Sequence, residues 1–252
     1  MESLKEVFMG LLKDRVGRLG MIGVLIIIIM ALLSPYIANH DVTEMNAKIK
    51  LSPPNSEYFF GTDEFGRDVF SRIVYGARVS LWVGLISVGI SATSGLILGL
   101  VAGYYEGKIG TVIMSIMDML FAFPSILLAL FIVAVLGPSL TNTMIAIGIV
   151  NTPVFTRTVR ASVISVKSME YITSARSIGL RDIQIILKHI LPNILAPFTV
   201  QATLALSGAI LTEASMSFLG LGIQPPDPSW GSMLSESRKY MELAPWLAIA
   251  PS

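Results

Sequence analysis

Long apolar runs dominate this sequence and leave few folds open to it. Each run has about the 20 mostly apolar residues that a membrane-spanning helix needs. Charged residues make up only 14% of the chain, whereas soluble domains have about 25%. We therefore predict an all-α transmembrane bundle of five spans, and the apolar end of the chain at 245–250 predicts the start of a sixth. The five runs cover residues 19–38, 79–104, 111–136, 143–160 and 194–219.

The distribution of charge predicts which loops lie on which side of the membrane. Residues 1–18 are basic and precede the first run, which is too long for a signal peptide and has no Ala-x-Ala site after it. Residues 157–192 carry six basic and two acidic residues, whereas residues 39–78 carry five basic and six acidic ones. Cytoplasmic loops are enriched in Lys and Arg. We therefore expect 1–18 to be a cytoplasmic N-terminal segment, 19–38 to be the first span and 39–78 to be extracytoplasmic.

The extracytoplasmic loop has its own helical pattern. Thr62 or Asp63 is suited to cap a helix, and apolar residues then recur at helical spacing, which predicts an interfacial helix. Three arginines on this side oppose the positive-inside rule, so we expect nearby carboxylates to pair with them and give them a structural role. The apolar residues are Phe65, Val69, Ile73 and Val74, and the arginines are Arg67, Arg72 and Arg78.

The second run carries a ridge of small residues. Small side chains at every fourth position lie on one face of a helix and let a second helix approach closely. We interpret this ridge as a helix-packing surface, and a wall of a translocation path is the alternative. The residues are Ser87, Ser91, Gly95, Gly99 and Gly103.

Polar and helix-breaking residues inside the runs are candidates for a translocation path. Acids inside membrane spans are functional candidates by default, and Asp118 and Glu213 are such acids. The residues Asn151, Thr152 and Pro153 interrupt the fourth run, and Pro124 interrupts the third. Proline kinks helices, and kinks in transport bundles frame cavities. Local packing is the simpler interpretation of both prolines, and water or neighbouring helices are sufficient partners for both acids.

Residues 161–192 form a polar and basic segment between two apolar runs. Its sequence predicts two short amphipathic pieces that are hinged at Gly179 and closed by Leu191 and Pro192. Such a segment lies either on the membrane surface or against a cytoplasmic partner. The predicted apolar faces are Tyr171, Ile172, Ala175 and Ile178 in the first piece, and Ile183, Ile186, Leu187 and Ile190 in the second.

Several chemistries have no support in this sequence. The chain has no cysteine, and its two histidines, His40 and His189, are far apart, so we expect no metal site. Residues 103–108, GYYEGK, lack the spacing and the Ser or Thr of a phosphate-binding loop, so we expect no nucleotide cofactor in this chain. The net charge of +1 indicates no nucleic-acid partner.

Three stretches of this sequence carry specific motifs. They are FGTDEFGRDVFSRIVYGARVSLWVGL at 60–85, TSARSIGLRDIQIILKHILPNILAP at 173–197 and TEASMSFLGLGIQPPDPSWGSML at 212–234. All three resemble one family of transport proteins, the C-type permease subunits of the ABC importers for dipeptides, oligopeptides and nickel. The stretch at 173–197 resembles the coupling motif of importer permeases, in which Glu-Ala-Ala is followed after three residues by Gly and later by Leu-Pro.

The resemblance implies a type I ABC-importer permease fold, with residues 79–252 as the permease core. It implies a second homologous permease subunit, two cytoplasmic ATPases that bind ATP and Mg²⁺, and an extracytoplasmic substrate-binding protein. It places the chain in a bacterial or archaeal cytoplasmic membrane, with a transport role rather than catalysis. The residues it assigns to ATPase coupling are Glu170, Thr173, Ala175, Ile178, Gly179, Ile183, Leu191 and Pro192.

The sequence departs from the family pattern at one place and leaves the substrate open. Thr173 and Ser174 replace the expected Glu-Ala, so Glu170, one turn earlier, is the candidate to replace the missing carboxylate. A peptide is the expected substrate, and a nickel chelate is the alternative. An ion-driven secondary transporter is the rival from another class, and a membrane scaffold is a third possibility that the helix breakers disfavour.

Overall fold

The computed structural model describes residues 15–251. The regular secondary structure of the described residues is helical, and their only strand-like feature is an isolated pairing of Thr62 with Asp68. The helices are α1 (Arg15–Leu32), α2 (Ser34–Ile37), α3 (Val69–Tyr104), α4 (Gly107–Phe121), α5 (Ser125–Leu136), α6 (Leu140–Lys167), α7 (Glu170–Ser177), α8 (Asp182–Ile185), α9 (Leu191–Phe218), α10 (Trp230–Ser237) and α11 (Trp246–Ile249). Short 3-10 turns lie at Ala47–Ile49 and Arg238–Tyr240.

The chain divides into two compact units. One unit is Trp82–Gln224, and the other combines the residues before Trp82 with those after Gln224. The boundary falls within α3. We refer to them as the bundle unit and the terminal unit.

The ridge of small residues packs against α6 within the bundle unit, as predicted. A Cβ atom added at Gly95 would lie 2.3 Å from the Cβ of Phe155, and one at Gly99 would lie 2.6 Å from the Cβ of Val159. Ser87 extends the contact, because its hydroxyl donates to the carbonyl of Met144 at 3.0 Å. Only glycine permits this approach, since ordinary carbon contacts are about 3.5–4.0 Å.

The predicted interfacial helix is not a separate element. Its apolar positions from Val69 onward form the first turns of α3, which continues for 36 residues. The predicted cap was also wrong, because Asp68 caps the helix by accepting from the backbone N–H of Ser71 at 3.0 Å. Asp63 instead forms an ion pair with Arg67, whose Nε lies 2.6 Å from Asp63 Oδ2.

The third apolar run forms two helices rather than one. α4 and α5 are bent by 90° relative to each other at the break that contains Pro124. Proline lacks the N–H that a continuing helix requires, so the break follows from the sequence. The angle of 90° shows that the chain ends one helix and begins another here, rather than forming one kinked span.

The fourth run forms a continuous helix despite its proline. α6 extends over 28 residues with Pro153 inside it. The hydroxyl of Thr152, just before the proline, donates to the carbonyl of Gly148 at 2.9 Å, and the backbone on both sides of Pro153 stays helical. The predicted interruption at Asn151–Pro153 was therefore wrong.

Two of the described helices are long and apolar enough to cross a membrane. They are α3 and the 37-residue helix Asp182–Phe218, and the bent pair α4–α5 makes a third if it counts as one span. The apolar part of α1, Gly17–Leu32, is shorter than the about 20 residues that span a bilayer. α6 is long enough but polar, with asparagine, threonine and arginine along its length.

The terminal unit has a small apolar core beside buried ion pairs. Val69, Ile73 and Leu247 are among the residues of this core. Arg67 and Arg72 are each 1% exposed, and both guanidinium groups pair with Asp63.

Arg67 also reaches Glu236 at 3.3 Å. The carboxylates of Asp63, Glu64 and Glu236 lie within 4.8 Å of one another, a spacing suited to a cation, and the two guanidinium groups already supply positive charge there. Arg67 and Arg72 are therefore structural, as expected, whereas Arg78 is exposed.

Candidate coupling site

The first half of the predicted coupling segment is α7, and Gly179 ends it. The backbone N–H of Gly179 donates to the carbonyl of Arg176 at 3.0 Å, and that of Leu180 donates to the carbonyl of Ala175 at 3.3 Å. This pair of bonds is the Schellman motif, which requires a left-handed residue after the helix. Gly179 has φ +83°, a conformation that costs other residues about 1–2 kcal/mol. The predicted glycine hinge is therefore confirmed as a turn.

The inner face of the segment packs into an apolar cluster of the bundle unit. Ile172 and Ala175 of α7 are buried, as are Ile185, Ile186 and Ile190 after the turn. Their neighbours include Val159, Val163 and Val166 of α6. Ala175 is therefore on the buried face of the segment.

The outer face presents apolar side chains to the surroundings. Ile178 is 80% exposed, Ile183 is 57% exposed and Leu187 is 52% exposed. The predicted faces were thus wrong in part, because Ile178 and Ile183 lie opposite the buried residues. The sequence could not separate the two faces, since the segment has apolar residues on both sides.

A groove runs along α7 beside this outer face. It has a volume of about 510 Å³ and is lined by Ser168, Glu170, Thr173, Ser174, Ser177 and Ile178. Glu170 and Thr173 therefore border the same groove.

Leu191 and Pro192 lie at the start of α9, the helix that follows the coupling segment. The helix that begins at Asp182 passes through a π-turn at Ile186–Ile190 and continues into α9. In this turn the backbone N–H of Leu191 donates to the carbonyl of Ile186. A π-turn is a common local adjustment within helices, and here it precedes the proline, which has no N–H and would clash in a regular turn. The predicted entry into the next span at Leu191 and Pro192 agrees with the start of α9, but no break separates the segment from this helix.

Tyr104, at the end of α3, joins the segment to the bundle, and the sequence analysis missed it. Its hydroxyl donates to Asp182 Oδ1 at 2.6 Å and accepts from Arg176 Nη2 at 3.3 Å. Its main-chain carbonyl accepts from Lys167 Nζ at 2.7 Å. No local pattern signals these contacts, because Tyr104 looks like the end of a span.

Lys167 also fixes the loop that follows Tyr104. Its Nζ lies 2.8 Å from Glu106 Oε1. The hydrogen bond from Lys167 lowers the pKa of Glu106 below its usual value. Glu106 has φ +24°, so the ion pair holds a strained turn between α3 and α4.

The candidates for a translocation path lie apart from this site. Asp118 is 60% exposed at its side chain and pairs with Arg157 at 2.7 Å. Glu213 is fully buried and accepts from the hydroxyl of Ser217 at 2.8 Å. Asn151 is half-buried within α6. Asp118 therefore lies beside Arg157, and Glu213 lies beside Ser217.

Two family models match the chain. Residues 95–251 match the binding-protein-dependent transport system inner membrane component. The chain belongs to this family. Residues 3–54 match the N-terminal transmembrane domain of oligopeptide transport permease C. The chain is therefore a multi-pass membrane permease subunit of an ABC importer, which excludes the secondary transporter and the scaffold.

Curated relatives of this permease extend over nearly its whole length. It is 49% identical to the dipeptide transport system permease protein DppC of Alkalihalophilus pseudofirmus, over 98% of this chain and 81% of the relative. It is 43% identical to the di/tripeptide transport system permease protein DppC of Pseudomonas aeruginosa, over 98% and 84%. It is 42% identical to the glutathione transport system permease protein GsiD of Pectobacterium atrosepticum, over 98% and 83%.

Solved structures share the fold of this permease. A chain of the inward-facing MetNI methionine ABC transporter superposes with a TM-score of 0.61 at 17% identity and covers 71% of this chain and 86% of that chain. At this identity the likeness shows the fold alone. The helical permease fold is therefore confirmed.

Proposed function

We propose that this chain imports di- or oligopeptides as one of two homologous permease subunits that form the translocation path. The names of its relatives support peptides, since dipeptides, tripeptides and glutathione are all short peptides, whereas a nickel chelate has no such support here. A substrate-binding protein outside the membrane delivers the peptide. Two cytoplasmic ATPases bind ATP and Mg²⁺, and this chain binds no cofactor itself.

The proposal extends to the topology. Residues 1–18 are cytoplasmic, 19–38 form the first span, and 39–78 are extracytoplasmic. Residues 79–252 form a type I permease core with the coupling segment at 161–192, for a total of five spans and the start of a sixth. The charge asymmetry of the loops supports this arrangement, and polar α6 is the span that lies inside the bundle, with Asp118, Asn151 and Glu213 as candidates for the path.

One observation carries the coupling role, namely the exposed apolar face beside Gly179. Ile178, Ile183 and Leu187 are each more than half exposed on a polar, basic segment. Full burial of such a side chain contributes about 1.5–3 kcal/mol. The exposed parts of the three side chains amount to about two whole side chains, so their burial supplies roughly 3–6 kcal/mol. This range reaches the roughly 5.5 kcal/mol that shifts a two-state equilibrium from 1:99 to 99:1.

The segment can transmit this energy because it is continuous with the bundle. Its buried face packs on α6, and its second half continues into α9 without a break. A rigid element of this kind moves as a lever when a partner binds it. The coupling residues are Glu170, Thr173, Ala175, Ile178, Gly179, Ile183, Leu191 and Pro192, with Ala175 and Leu191 as internal supports.

Ile178→Asp tests the docking role. We expect at least about a tenfold weaker association with the ATPase subunits and a matching loss of uptake, since the variant removes an apolar contact and adds a charge to be desolvated. Co-purification with the ATPases and uptake of radiolabelled dialanine are the measurements.

Leu243→Asp is the matched control. Leu243 is 73% exposed and lies on the predicted opposite side of the membrane. Equal loss in both variants, or normal association of the Ile178 variant, would overturn the assignment of the docking face.

A further inference from the structure

The hydroxyl of Tyr104 lies where both halves of the coupling segment meet. Arg176, in the last turn of α7, donates to it at 3.3 Å, and it donates to Asp182, the first residue of α8, at 2.6 Å. These two partners flank Gly179. A single side chain therefore spans the turn that separates the two halves.

The backbone of Tyr104 is fixed at the same point. Carbonyls in the last turn of a helix have no partner within the helix, and the carbonyl of Tyr104 accepts from Lys167 at 2.7 Å. Lys167 is the last residue of α6. The ends of α3 and α6 and both halves of the coupling segment thus meet at one residue.

The ring and the hydroxyl of Tyr104 have separate contacts. The residue is 4% exposed, and its ring belongs to the apolar cluster that contains Val163, Ile172 and Ile186. Apolar contacts are not directional, so packing alone permits one helix to slide over another. Hydrogen bonds require a defined distance and angle, so the hydroxyl fixes the orientation of the segment relative to α3.

We propose that Tyr104 is a positioning residue that passes movement of the coupling segment to membrane helix α3 through its bond to Asp182. The proposal rests on the proposed function, because it concerns how the docked segment acts on the bundle. Hydrogen bonds to an ionised acceptor are about twice as strong as those between neutral groups. Without this bond the segment still docks on its partner, and a smaller part of its movement is transmitted to α3.

Tyr104→Phe separates positioning from packing, because the ring stays in place. The complete importer, with its partner subunits and binding protein, is assayed in proteoliposomes for dialanine taken up per ATP hydrolysed. We expect about a tenfold fall in this ratio, the factor that corresponds to a loss of about 1.4 kcal/mol, with assembly unchanged. Tyr105→Phe is the matched control, since Tyr105 is 47% exposed and its hydroxyl bonds to none of the described residues.

Variants of Asp182 complete the test. Asp182→Ala should lower the ratio as far as Tyr104→Phe does, and the double variant should be no worse than either. Asp182→Asn keeps an acceptor and should retain most of the ratio. If the importer with Tyr104→Phe does not assemble, the two Asp182 variants provide the test. A lower ratio for Asp182→Ala than for Asp182→Asn supports the positioning role, and equal ratios refute it.

The outcomes separate this inference from the proposed function. A wild-type importer that neither binds ATPases nor takes up peptide refutes the proposed function. A wild-type importer that works, with Tyr104→Phe equal to wild type or with additive losses in the double variant, refutes the positioning role alone.

Discussion

Close approach of α3 to α6 depends on Gly95. An alanine there would place its Cβ 2.3 Å from the Cβ of Phe155 and 3.0 Å from the backbone nitrogen of Thr156. Neither atom is the end of a flexible side chain. An ordinary contact of about 3.6 Å would therefore require the helices to separate by roughly 1.3 Å. A gap of 0.5–1 Å already removes about a quarter to a half of each neighbouring contact.

The expected effect of Gly95→Ala is a free energy of unfolding lower by about 1–3 kcal/mol, the usual cost of overpacking. Gly89→Ala is the matched control on the same helix, because a Cβ there meets nothing within 4 Å. Both variants share the change in helix propensity, so their difference reports the helix contact. The assay is SDS titration in mixed micelles, followed by circular dichroism. Equal stability of the two variants, within about 0.5 kcal/mol, would contradict the packing argument.

Two further predictions concern the terminal unit. Arg67→Ala should lower the free energy of unfolding by about 3–5 kcal/mol, because it leaves the buried carboxylate of Asp63 without its closest partner. The control, Arg78→Ala at an exposed arginine, should change this free energy by no more than about 0.5 kcal/mol. Equal effects of the two variants in the same SDS titration would refute the structural role of Arg67. Burial raises the pKa of Glu236, so its ionised form costs stability at neutral pH. The fold should therefore gain stability as the pH falls through that raised pKa. Glu236→Gln should lack this gain when its free energy of unfolding is measured over the same pH series, and the same pH dependence in the variant and the wild type would show that another group is responsible.

The sequence predicted features that depend on neighbours along the chain. The small-residue ridge of α3 follows from a period of four, and the turn at Gly179 follows from a glycine between two amphipathic pieces. The break at Pro124 was also visible as a helix breaker. The proline in α6 was misjudged, because the helix continues through Pro153. A π-turn just before Pro192 joins the coupling segment to α9 without a gap.

The sequence by itself determined that this protein is a helical membrane permease, because hydropathy and family motifs are properties of contiguous residues. Only the tertiary structure decided which apolar face of the coupling segment is buried and which stays exposed at Ile178 and Ile183. It also decided that Tyr104 bonds to Asp182, 78 residues away. Such contacts depend on how the helices pack, and the pattern of either helix alone contains no information about the other.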